Sequence, residues 1–195
     1  MAARAPRGSY AKGTAKREEI ILQAIDLFGR TGYHATSMRE IAAACNLSQA
    51  GLLHHFANKE ALLMAIVDYR EHAFYLDPET GKTPATEDLI SHNLETARVN
   101  QAHEALTRLW AILVGEAVDR DHPAHEYFKE RYVNTRANFA RAIATDAKRD
   151  EPNQEDQLKA AVLAAVWDGL QNQWLIDESF DMMPSFEYAL RMLRG

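Results

Sequence analysis

The feature that most restricts this chain is a run of helix-boundary signals crowded into residues 37–59. Ser37 and Glu40 have the spacing of a capping box: the serine hydroxyl accepts from the Glu40 amide, and the Glu40 carboxylate reaches back to the Ser37 amide. Behind them Met38, Ile41, Ala42 and Cys45 share one face of a short helix, which stops at Asn46, a residue that tolerates the left-handed conformation. Ser48 caps a second short helix running to about Phe56, with Leu47 placed to staple onto Leu52. Asn58 caps a further helix with Leu62, Leu63, Ile66 and Tyr69 on its buried stripe. Two short helices joined by a tight turn make a helix-turn-helix. Its second member, roughly 13 Å long at about 1.5 Å per residue, fits a DNA major groove about 12 Å wide. A plain helical hairpin would leave the outward face inert, whereas this face carries Gln49, His54 and His55 beside Ala50 and Gly51. Gly51 lowers helix propensity by up to about 1 kcal/mol against Ala. Either the close approach of a backbone or base edge accounts for it, or it is a tolerated weakness.

Charge divides the chain in the same place. The 195 residues hold 22 Lys and Arg against 28 Asp and Glu, a net −6, yet residues 1–59 alone carry +4 and the remainder −10. Only the first third would be drawn to a polyanion. Residues 1–15, with Pro6, Gly8, Gly13 and the basic side chains Arg4, Arg7 and Lys12, read as a flexible basic arm. From Lys16 to about Thr31 an amphipathic helix carries Ile20, Ile21, Ala24, Ile25, Leu27 and Phe28 inward and ends near Gly32. The expected division is therefore an arm over 1–15, a helix-turn-helix domain with its connecting fourth helix over 16–76, and a larger helical domain over 77–195. It opens with a loop over 77–87.

That second region is helical throughout, with no strand-like alternation, so the fold class is all-α. A helix is expected over about 87–100, followed by a stripe of Leu106, Leu109, Trp110, Leu113, Val114 and Ala117. Pro123 opens another helix with Phe128, Tyr132, Thr135, Phe139 and Ile143 on one face, and residues 150–153 break it. Residues 157–176 differ: Leu158, Val162 and Ala165 form one apolar row, Val166, Trp167, Leu170 and Trp174 another. A helix apolar on two sides is buried on two sides, by its own core and by a second copy of the chain, or else by a single monomer core. The last helix, with Phe186, Ala189, Leu190 and Leu193, can join it in a four-helix interface. Trp110, Phe128, Tyr132, Trp167, Gln171 and Trp174 either fill the core or line a cavity for a small molecule.

Catalytic and metal chemistry find little support. His122 and His125 lie three apart with no Cys nearby, and neither a glycine-rich phosphate loop nor a nucleophile elbow occurs. No catalytic residue, metal ligand or cofactor is expected, and a helical enzyme using the two histidines is the weaker rival. Cys45, the single cysteine, reads as a small core residue and suits a reducing compartment. With no 18-residue uncharged apolar run and no signal-peptide core, a soluble cytoplasmic protein with no membrane partner is expected.

Arg39-Glu40-Ile41-Ala42, Asn46-Leu47-Ser48, Leu52-Leu53-His54-His55-Phe56 and Lys59-Glu60-Ala61-Leu62 together resemble the DNA-binding domain of the TetR family of bacterial transcriptional regulators, over roughly residues 16–63. The resemblance implies that Thr36, Ser37, His54, His55 and Lys59 stand where the family contacts phosphates. It also implies that Arg39, Gln49, Ala50 and Gly51 stand where it faces bases, with Ser48 opening the reading helix. Gln49 can pair bidentately with adenine. Two departures bear on the operator: Leu53 replaces a usual Tyr, leaving apolar contact in place of a hydroxyl, and Gly51 replaces Thr or a similar side chain. The implied protein is a homodimer through its last two helices, a repressor of a pseudo-palindromic duplex released by an unidentified small molecule.

Overall fold

The computed structural model describes residues 7–74 and 89–194. Its helices are α1 (Arg7–Thr31), α2 (Met38–Ala44), α3 (Gln49–His55), α4 (Lys59–Phe74), α5 (Leu89–Ala102), α6 (Glu104–Glu116), α7 (His125–Asp146), α8 (Gln154–Ile176) and α9 (Met182–Arg194). No strand occurs among the described residues. The loop expected over 77–87 and residues 1–6 of the arm lie outside them.

The helix ends follow local chemistry. The Ser37 and Glu40 capping box is present in both directions. At the far end of α2, Asn46 takes φ 54°, and the Leu47 and Asn46 amides donate to the Ala42 and Ala43 carbonyls at 2.8 and 3.1 Å. This is a Schellman closure with asparagine in the left-handed position. Ser48 Oγ accepts from the Gly51 amide at 3.0 Å, and Asn58 Oδ1 from the Ala61 amide at 2.7 Å. Asn153 and Asp156 form a second capping box, which starts α8 three residues before the 157 that apolar spacing alone indicates.

One boundary differs more. Helix α1 begins at Arg7, so residues 7–15, expected as part of a flexible arm, are helical. The physical reason is cooperativity: adding a residue to an existing helix avoids the cost of a new nucleus, and Ala11 and Ala15 favour such growth.

Two cores form. The first gathers Ile20, Phe28, Ile41, Leu52, Leu62 and Ile66 with Leu109 and Leu113 of α6 and Phe128 of α7. The second joins Ala97 of α5, Ile143 of α7, Leu163 and Trp174 of α8, and Phe186 and Leu190 of α9. Helix α6 therefore belongs to the same core as the four N-terminal helices. It lies so close to α1 that a methyl added at Gly29 would stand 3.4 Å from the Ala105 carbonyl oxygen. One apolar row of α8 stays outside both cores: Leu158 is 62% and Val162 50% exposed, joined on α9 by exposed Tyr188 and Met192.

Candidate nucleic-acid interface and effector cleft

Helix α3 is short, seven residues or about 10 Å. Ser48 and the extended Phe56 that bound it account for the nine residues counted from sequence. Leu52 and Phe56 turn inward, and the Arg17 guanidinium lies 4.3 Å over the Phe56 ring. The outward side carries Ser48, Gln49, Ala50, Leu53 and His54, all exposed, with Gly51 and His55 half-buried; Ser37 and Arg39 are exposed on the neighbouring α2. A methyl at Gly51 would meet only the N-terminal turn of its own helix, Ser48 Oγ at 3.3 Å and Leu47 at 3.8 Å. No other protein backbone crowds this glycine.

Three expected phosphate contacts are engaged within the protein. Thr36 is buried, its hydroxyl donating to the Gly32 carbonyl at 2.8 Å, because the chain reverses there with Gly32 at φ +82°. The Lys59 ammonium donates to the Tyr33, His34 and Thr36 carbonyls at 2.9, 3.3 and 3.0 Å and sits 4.4 Å above the Tyr33 ring. Three acceptors exhaust its three protons. The Ser37 amide and hydroxyl both donate to Glu40 Oε2, at 2.7 Å each. His54, His55, the Ser48 hydroxyl proton and Arg39 remain as outward donors.

The turn that Lys59 holds is gripped from the other side by Glu116. Its Oε2 accepts from the Tyr33 amide at 3.0 Å, and its Oε1 lies 2.6 Å from where a Cβ on Gly32 would stand. Buried His122 covers the junction, 5.0 Å from the Tyr33 ring and 5.2 Å from the His34 ring, with Nδ1 accepting from the Ala124 amide. No sequence signal links these residues, since the Glu116 contact spans 83 positions.

Of the six aromatic and polar residues expected at a cavity, Trp110 and Gln171 line a cleft between α6 and α8, together with Thr107, Val114, Asp168 and Asn172. Tyr132 reaches it indirectly, its hydroxyl donating to Asp168 Oδ2 at 2.5 Å. Phe128 stands behind Trp110, ring centroids 5.0 Å apart. Trp167 meets Phe186 edge to face, centroids 4.8 Å apart, and Trp174 is buried in the second core, so both fill space elsewhere. Asp168 and Asn172 went unread because one polar residue on a long helix looks like solvated surface until its neighbours are known. The Arg70 guanidinium of α4 lies 3.9 Å over the face of Trp110.

Two expectations follow from this geometry. Gly51→Ala should raise the thermal stability of the free protein by up to about 1 kcal/mol. The same change should weaken duplex binding, since the methyl would stand on the outward helix with only its own cap, Ser48 Oγ and Leu47, close by; tighter binding in a gel-shift titration would contradict this. Burial holds the His122 imidazole neutral below its ordinary 6.5, reinforced by His34 and Lys59 and opposed by Glu116 and Asp119. The unfolded chain takes up this proton first, so the contribution is complete above pH 6.5 and shrinks as pH falls. Chemical denaturation from pH 7.5 to 5 should show a smaller loss of stability in His122→Gln than in the unaltered chain.

Residues 20–66 match the model for bacterial regulatory proteins of the tetR family. Over 54 residues the chain is 43% identical to the uncharacterized HTH-type transcriptional regulator YerO of Bacillus subtilis, covering 28% of this chain and 19% of that protein. It is 41% identical over 51 residues to the regulator UidR of Escherichia coli, covering 26% of each. The matched segment thus spans about a fifth to a quarter of these relatives. Likeness of fold extends further. NalD of Pseudomonas aeruginosa, the secondary repressor of the MexAB-OprM multidrug efflux pump, superposes with a TM-score of 0.69 at 24% identity, over 93% of this chain and 95% of its own. The fatty acid degradation regulator FadR of Bacillus halodurans gives 0.70 at 16%, over 92% and 95%. With its caps and short helices in one N-terminal unit, the segment over residues 20–66 is similar to bacterial regulatory proteins of the tetR family, and the relatives it matches there are HTH-type transcriptional regulators.

Proposed function

We propose that the protein is a homodimeric transcriptional repressor, which reads a pseudo-palindromic operator with α3 and releases it when a small molecule occupies the α6–α8 cleft. The observation that carries the reading is the outward side of α3: a capped helix offering Gln49, His54 and Arg39 nearby, with a glycine whose nearest neighbours belong to its own helix cap. Gln49 and Arg39 are assigned to base edges, with Ala50, Gly51 and Leu53 giving close apolar approach. His54, His55 and Ser48 are assigned to phosphates. Lys59 and Thr36 act by fixing the turn behind α2, and Ser37 by capping it.

The exposed row of Leu158, Val162, Tyr188 and Met192 supports dimerisation through α8 and α9, since such a surface costs free energy in water until a second copy covers it. Two reading helices can then address half-sites a helical turn of DNA apart, or a multiple of it. No helix among the described residues is long and apolar enough to cross a membrane. Trp110 supports the link to a ligand, having the cleft on one side and Arg70 of α4 on its ring face.

Selecting duplexes from a random pool should enrich a two-fold symmetric sequence, bound with an affinity that falls steeply with salt. Gln49→Ala should relax preference at one position in each half-site. Enrichment of no duplex, or salt-independent binding, would refute the proposal. In sedimentation runs the unaltered chain should behave as a dimer and Val162→Glu as a monomer with greatly weakened operator binding; one chain per operator at full affinity would refute the dimer.

A further inference from the structure

The α6–α8 cleft carries a chemical preference that can be read from its free groups. Asp168 supplies the charge in its lining. One oxygen of that carboxylate, Oδ2, accepts from Tyr132; the other takes no hydrogen bond among the described residues. The nearby guanidiniums do not fill the cleft. Arg70 is 2% exposed and lies on the Trp110 face, and both it and Arg131 stand 4.0 Å from Glu71, the carboxylate that also accepts from the Tyr127 hydroxyl. Burial pushes the Asp168 carboxyl up from its ordinary range despite Tyr132, Arg131 and Arg70, so its negative charge is undercompensated where it stands.

One donor beside the cleft is left over. Trp110 lines the cleft, but its indole nitrogen is wholly buried. Gln171 spends its carbonyl oxygen on the Asn100 amide at 2.8 Å, which leaves its own NH2 to donate. The cleft is partly open and has a volume of about 40 Å3. It admits an ammonium, with a larger body left over Ala111 and Val114 at the mouth.

We propose that the cleft selects a small organic cation: a primary amine carrying an ether or hydroxyl oxygen and an apolar group, with its ammonium on Asp168 Oδ1, its oxygen towards the Gln171 NH2, and its apolar part on Ala111 and Val114. The proposal rests on the reading of the protein as a ligand-responsive regulator and names the chemistry of its effector.

Three probes of one shape and different charge test it: 2-phenoxyethylamine, 2-phenoxyethanol and phenoxyacetate, titrated calorimetrically into the full-length protein. The amine should bind at least tenfold more tightly than the alcohol, and phenoxyacetate should not bind. Asp168→Asn keeps an acceptor for the Tyr132 hydroxyl, so it should fold, confirmed by its melting curve. It should lose at least tenfold for the amine and little for the alcohol. Ala111→Phe, which fills the mouth, should abolish binding of the amine. The proposal is overturned if the alcohol or phenoxyacetate matches the amine, if none of the three binds, or if either variant binds the amine as the unaltered chain does. Duplex selection is independent of these titrations. A chain that enriches a symmetric operator and ignores the amine keeps the regulator reading and loses this one; a chain that binds the amine and no duplex does the reverse.

Discussion

The six residues between α1 and α2 are held by opposite charges from two other helices, and the N-terminal helical head depends on that grip. Lys59 of α4 collects three carbonyls of the turn, and Glu116 of α6 takes the Tyr33 amide from the other side. Each charge is used where the backbone offers the complementary end of the peptide dipole, so donors and acceptors of a partly buried turn are satisfied together. Gly32 is needed twice over: its φ of +82° suits a residue without Cβ, and the Glu116 carboxylate occupies the place where a Cβ would be. Since α2 starts from this turn and α3 follows it through the Asn46 closure, the orientation of both helices is inherited from α4 and α6.

That inheritance explains why the core does not divide where charge and composition do. The boundary near residue 76 separates a basic head from an acidic remainder, but α6 buries Leu109 and Leu113 fully in the head's own core. Full burial of each leucine is worth roughly 1.5–3 kcal/mol. Two such side chains, added to the Glu116 contact, make α6 part of the unit that holds the DNA-reading face. The charge asymmetry still has a role: it directs the head towards a polyanion and keeps the remainder away from it.

What could be read beforehand was the chemistry that acts over three or four residues. The boxes and caps at Ser37 with Glu40, at Asn46, at Ser48 and at Asn58 are local bonds whose spacing is written in the chain, and they fix α2, α3 and the start of α4. Lys59 shows the limit. A cation at the head of α4 was legible as a donor, but the carbonyls that consume it lie 23 to 26 residues away. The aromatic residues show another. Trp110, Trp167 and Trp174 have the same apolar character in sequence, and only the crossing of α6 with α8 decides that the first borders a cleft while the others fill the second core. The early start of α1 was hidden because helix growth draws on an existing nucleus rather than on local apolar pattern.

The geometry also sets a scale for regulation. Helix α6 touches the cleft with Trp110 and Val114 and the head's turn with Glu116, about 9 Å further along its axis at about 1.5 Å per residue. A rod with both ends engaged cannot shift at one without disturbing the other. Driving a two-state regulator from 99:1 to 1:99 takes about 5.5 kcal/mol of differential binding. One hydrogen bond to a charged group is worth about 1.5–3 kcal/mol, and the proposed dimer has two copies of the Glu116 contact. Loss of both amounts to about 3–6 kcal/mol, the size of the switch. Under the proposed function no large rearrangement would be required of an effector: a displacement of α6 that opens the Tyr33 to Glu116 bond on each side would cost free energy on this scale, which the effector would have to offset by binding the shifted state more tightly.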